Sequence, residues 1–178
     1  SSNTTYLDLN WEINVPKQEK DAEAENKYTT ISYNFFEDDV DDLSARRNDK
    51  ASEEINTKVK WVAFKEQFFS SILVAKDLFT NGLVEFSTLK NSEDRLKHLK
   101  AKFAVPYEGQ HTQAYDYQFY FGPNHYNTLK KYDKNFEEIV PLGWGIFGWV
   151  NKYLIIPTFL SLNLIRNYAL LLLLCKLN

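Results

Sequence analysis

The chain contains no methionine, and it opens Ser1-Ser-Asn-Thr-Thr5 with no charged stretch leading into an apolar one. That pattern fits an internal stretch of a longer polypeptide better than a natural N-terminus carrying a leader. A single cysteine, Cys175, leaves no internal disulfide to form, and its place in an apolar tract makes it a lipid-facing or packing residue rather than a nucleophile. Charge of one dominant sign is also missing. The 21 basic and 24 acidic residues leave a net charge of -3, and the basic ones form no stripe, so no nucleic-acid partner is expected. Missing too are a Gly-x-Ser-x-Gly elbow, a glycine-rich phosphate loop and a His-Glu-x-x-His pair. His98, His111 and His125 are dispersed, and none lies at the spacing that metal pairs use. Neither a catalytic site nor a cofactor is expected from these residues.

What is present can fill one sizeable core: 178 residues, 44% apolar and 25% charged, with a last quarter unlike the rest. Leu7, Leu9, Trp11, Ile13 and Val15 alternate with polar residues, the period of a strand with one wet face. Pro16 ends it, and the charged Lys17 to Lys27 reads as a solvated loop. Thr29, Ile31, Tyr33 and Phe35 alternate again before the acidic run Glu37 to Asp42, which lacks the glycine and the spaced final Glu of a calcium loop. Lys58 to Lys76, rich in β-branched and aromatic residues, predicts two consecutive core strands. Further strands are expected at Leu83 to Thr88, at Leu96 to Val105 before a turn at Pro106 and Gly109, and at Tyr115 to Phe121. Tyr126, Leu129 and Tyr132, spaced by three after Pro123, predict a short helix. The fold class is therefore mainly β, a twisted antiparallel sandwich over residues 1–141.

The tail differs. Trp144, Phe147, Trp149 and Tyr153 stand among glycines, a pattern for an amphipathic helix lying at headgroup depth. Leu154 to Cys175 then approaches the roughly 20 apolar residues that cross a bilayer, with Pro157, Asn163, Arg166 and Asn167 interrupting it. An arginine at mid-depth costs about 2.5 to 3.5 kcal/mol, which favours Arg166 near a headgroup region or facing protein. The alternative is a buried helix of the domain itself.

Three stretches carry a resemblance: Lys60-Trp-Val-Ala-Phe-Lys-Glu-Gln-Phe-Phe-Ser-Ser-Ile-Leu73; the Tyr120-Phe-Gly-Pro123 turn with Leu129-Lys-Lys-Tyr-Asp133; and Leu142-Gly-Trp-Gly-Ile-Phe-Gly-Trp149 with Ile156-Pro157. With Gln18-Glu-Lys20 they resemble, in order and spacing, the YidC membrane protein insertase family in its version with a large periplasmic domain. The resemblance implies a protein of the bacterial inner membrane with a β-supersandwich at 1–141 in the periplasm, an interfacial helix at 142–155, and the start of a transmembrane insertase core at 156–178. It further implies a hydrophilic groove that passes nascent membrane proteins into the lipid bilayer, alone or beside the Sec translocon. Lys176 is the nearest match to the groove's basic residue, although the tract before it is shorter than the family pattern. Two other classes stay open. One is a sugar-binding or mutarotase-like sandwich using Glu108 and His111; the other is a membrane-anchored interaction module.

Overall fold

The computed structural model describes residues 5–37, 39–43, 49–109, 111–141, 155, 157 and 158. Two units divide the chain, residues 1–139 and 140–178, and the described architecture belongs to the first. Alternation in the N-terminal stretch produces β1 (Thr5–Pro16), whose inward residues become steadily better covered from Leu7 to Val15. It pairs antiparallel with β7 (Arg95–Tyr107). The longest strand, β6 (Phe69–Thr88), pairs through its C-terminal half with β7 and with β4 (Lys50–Ile55). Its N-terminal half pairs with β5 (Val59–Lys65) and β8 (Tyr117–Pro123), and β5 continues to β2 (Thr30–Phe35) and β3 (Val40–Asp42). The result is a mainly antiparallel β domain, consistent with a sandwich, in which β6 belongs to both sheets: β4-β6-β7-β1 and β8-β6-β5-β2-β3.

The sequence expectation split β6 into two strands, and its passage between the sheets explains why. Opposite Lys60 the strand carries extra residues, because Val59 pairs with Phe79 while Trp61 pairs with Val74. A second irregularity falls between Thr80 and Gly82. Leu78 (φ 64°) and Asn81 (φ 50°) sit in the left-handed region there, and bulges of this kind turn a strand from one sheet into the other. Beyond the second bulge, Gly82 is required by a close approach: a Cβ would lie 2.3 Å from the Phe103 ring.

The core fills the space between the sheets. Leu99, Phe103, Val84 and Phe86 of the first meet Ile31, Val62, Phe64 and Leu73 of the second. Trp11 stacks on Phe64 at 3.9 Å and Phe79 on Phe103 at 4.4 Å. Each such side chain, once fully buried, contributes about 1.5–3 kcal/mol.

Several expectations require correction. The charged stretch expected as a solvated loop contains α1 (Ala22–Tyr28). Asp21 caps it, its Oδ1 accepting the Ala24 N–H at 3.0 Å, and Glu25 turns inward so that its carboxylate accepts the backbone N–H groups of Gln18 (3.1 Å) and Glu19 (3.3 Å). Charged residues thus supply the caps and anchors that an apolar face would otherwise provide. At the far end the fully buried Lys97 donates to the carbonyls of Asn26 (2.9 Å) and Thr29 (2.6 Å) and lies 4.5 Å over the Phe86 ring. Gln18 also donates to Glu66 (3.2 Å), whose carboxyl is held above its ordinary range by burial and then by the charge of Glu25. β4 carries too few apolar residues to announce itself and was not foreseen. Pro106 lies inside β7, with its carbonyl accepting from Tyr115 (2.6 Å) and Gln113 (3.1 Å). Part of the acidic run forms β3, where Asp42 accepts from Ser32.

Candidate functional site

Alternating strands usually cover one face, yet β5 and β6 of the second sheet are buried on both. The bulge after Val59 explains the first of them, since it turns Trp61 and Ala63 to the side away from the sandwich core. That outer side is covered by α2 (Tyr126–Lys130) and a 3-10 turn (Phe136–Ile139). Leu129, Phe136 and Ile139 are buried beneath this small helical cap. Trp61, fully buried, meets Phe136 edge-on at 5.5 Å and donates its indole N–H to the Lys134 carbonyl at 2.7 Å. Tyr120 approaches Tyr132 at 5.2 Å, and burial followed by the neighbouring Tyr132 raises its phenol above the ordinary range. Its hydroxyl donates to the Pro123 carbonyl at 2.9 Å.

Asn124 fixes where the cap begins. Its side-chain amide donates to the carbonyls of Glu66 (2.9 Å) and Phe69 (3.2 Å), and its backbone N–H donates to Phe68 (2.7 Å). The entry to α2 is therefore tied to the β5–β6 turn. Of the helix residues expected from spacing, Leu129 is the buried pin, Tyr126 is half-buried and carries Lys130 over its ring at 5.9 Å, and Tyr132 stands partly in solvent. The cap side of the second sheet also borders a cavity of about 700 Å³ where β6 leaves that sheet, with Lys60, Trp61, Lys76, Asp116 and Lys134 on its walls. Lys76 and Asp116, neighbours on that wall, pair at 2.9 Å.

Sequence reasoning missed Trp61, Tyr120, Asn124 and Phe136 as parts of this cap. Tyr120 did leave a signal, an aromatic on the polar side of an alternating strand. Glu108 and His111, the pair considered for sugar chemistry, are both exposed, and neither lines that cavity. Among the described residues no three His, Cys, Asp or Glu side chains converge as a metal site would require, and no helix is long and apolar enough to cross a membrane. Trp144, Phe147, Trp149 and Tyr153, expected at a membrane interface, together with Arg166, Cys175 and Lys176, lie outside the described residues.

Fold and site together define a class: an antiparallel β domain whose second sheet carries a C-terminal helical cap. The chain belongs to the YidC periplasmic domain family, whose model matches residues 1–156. It is 39% identical to the membrane protein insertase YidC of Parabacteroides distasonis over 96% of this chain and 28% of that protein. Identity is 35% to the YidC insertases of Bacteroides fragilis, over 89% of this chain and 26% of that one, and of Porphyromonas gingivalis, over 99% and 29%. The chain thus spans less than a third of the length of these relatives. Family membership places this domain in the periplasm, on a protein of the bacterial inner membrane.

Proposed function

We propose that residues 1–141 of this chain form the periplasmic β-supersandwich of a membrane protein insertase, and that the helical cap positions the membrane-embedded machinery. The observation that carries this is the family match over residues 1–156. The cap supports it, because it ends at Ile139, directly before the Trp- and Gly-rich segment that leads to the apolar tract. On this reading residues 142–155 lie along the interface, with Trp144, Phe147, Trp149 and Tyr153 at headgroup depth, and residues 156–178 begin the first wall of a hydrophilic groove. Arg166 faces a headgroup region or protein, and Lys176 is the groove's fixed cation.

Moving an apolar helix from water into lipid is downhill, and the obstacle is carrying its polar flanks across hydrocarbon. A hydrated groove lowers that obstacle without making or breaking a covalent bond, for nascent membrane proteins arriving alone or from the Sec translocon. The cap would hold the groove's outer end. In cells depleted of their own insertase, full-length protein lacking Asn124 to Tyr132 should insert a reporter membrane protein poorly, as read by protease protection. Because that deletion also uncovers Trp61, the milder Leu129→Ala is the companion variant. Undiminished insertion by both variants would overturn the role of the cap.

A further inference from the structure

The cavity beside the helical cap has a single register row for its floor: Asn34, Trp61, Val74 and Gln118 stand in line across β2, β5, β6 and β8. Its side wall is the link between α2 and the 3-10 turn, Asp133-Lys134-Asn135. Two of those three residues, Asp133 (φ 53°) and Asn135 (φ 61°), hold the left-handed conformation, and the Trp61 indole N–H donates to the carbonyl of Lys134 between them at 2.7 Å. Residues other than glycine persist in that conformation where their surroundings over-determine it, and such positions gather at ligand clamps. At about 700 Å³ the cavity lies within the range of small-molecule sites, about 300–1,000 Å³.

The charges on the walls indicate the ligand. Lys76 and Asp116 neutralise each other at 2.9 Å. Lys60, Lys134 and Asp133 also line the cavity, and they make no ion pair among the described residues. The Lys60 ammonium lies 5.8 Å over the Phe36 ring, which is part of the same wall. Two unpaired cations and one unpaired anion around a partly apolar floor suit a group that carries a phosphodiester and an ammonium on a short linker. The phosphate takes the lysines and the ammonium takes the carboxylate. A group with negative charge alone would be repelled by Asp133.

We propose that this cavity binds the phosphoethanolamine headgroup of a membrane lipid, with Lys60 and Lys134 on the phosphate and Asp133 on the ammonium. The source is the bilayer rather than solution, because the cap ends at Ile139, directly before the segment that leads to the apolar tract. Eight residues separate Lys134 from Leu142, where the stretch proposed to lie at headgroup depth begins, and even fully extended they span at most about 29 Å. The assignment rests on that interfacial reading of residues 142–155 and not on the insertion of other proteins.

The test uses the full-length protein in nanodiscs holding equal parts of phosphatidylethanolamine and phosphatidylglycerol. A benzophenone amino acid at Gln118, on the cavity floor, should form a lipid adduct, and mass spectrometry should find phosphatidylethanolamine in it about tenfold over phosphatidylglycerol. Lys60→Gln and Lys134→Gln should each lower the adduct about tenfold, the loss of one charge-assisted contact, with hydrogen exchange of β5 unchanged. Undiminished adduct in both variants would overturn the proposal. Asp133→Asn, which keeps a residue at home in the left-handed region, should instead move the preference to phosphatidylglycerol, and an unchanged preference would overturn the ammonium contact. Competition by inorganic phosphate as strong as by glycerophosphoethanolamine would mark a site for soluble phosphate and overturn the lipid assignment. So would an adduct with polypeptide, whether a partner or another part of the same chain. The same probe at Phe147 separates this site from the interfacial segment: a lipid adduct there but none at Gln118 overturns the cavity site alone, and none at either position overturns both.

Discussion

At the scale of single residues, two positions show how tightly this domain is specified. Gly82 lies where β6 has just entered the first sheet, and a methyl group there would sit 2.3 Å from a ring carbon of the fully buried Phe103. Phe103 is itself stacked on Phe79, so it has little room to retreat. Gly82→Ala should therefore destabilise by about 1–3 kcal/mol, the range for overpacking a filled core, and thermal denaturation followed by circular dichroism would measure it. Lys97 is a different case, a charge kept in the interior by two helix-end carbonyls and a ring. Burial pulls its ammonium down to about 8, with Asp49 opposing, against 10.5 for an exposed lysine. Between those values the unfolded chain binds the extra proton, so stability rises with pH through this window, by about 1.4 kcal/mol per unit at the steepest. Subtracting the profile of Lys97→Met from that of the wild type should isolate this rise between pH 8 and 10. A flat difference would mean that the Lys97 ammonium takes up and releases its proton in the folded state as it does in the unfolded chain.

Among the elements, legibility followed the simplicity of the burial pattern. Strands β1, β5, β7 and β8 were readable because apolar and polar residues alternate, or because β-branched and aromatic residues run together. β4 was not, since Lys50, Ser52, Glu53 and Glu54 leave Ala51 and Ile55 as its apolar residues. Helix α1 was hidden for a related reason: Asp21, Glu25 and Lys97 hold it through polar contacts that a hydrophobicity pattern cannot register. The short helix α2 was legible from Leu129, whereas its aromatic floor was not, because a bulge reversed the face of Trp61. If side-chain capping holds α1, Asp21→Ala should cost about 1 kcal/mol and speed amide exchange at Ala24 and Glu25 first. Loss confined to global unfolding, with no local fraying, would assign the stability of α1 to its tertiary anchors instead.

For the molecule as a whole, the shared strand has a consequence that neither sheet has alone. β6 supplies the central ladder of both sheets, and one apolar cluster fills the space between them. Neither sheet can lose β6 without stripping the other, so the two should open as one cooperative unit. The slowest amides of β5, around Val62 to Phe64, and of β7, around Leu99 to Phe103, should exchange with a single free energy in the full-length protein. Leu73, buried on the N-terminal half of β6, lies in the second sheet only, opposite Val62 and Phe119. Leu73→Ala creates a cavity expected to cost about 2–5 kcal/mol, and that loss should reach the β7 amides as fully as those of β5. If β7 kept its protection while β5 lost it, the bulges at Leu78 and Asn81 would be acting as a joint between two independently stable sheets. Transmission of the whole loss would make them a rigid corner, able to hold the helical cap and β1 in one fixed frame.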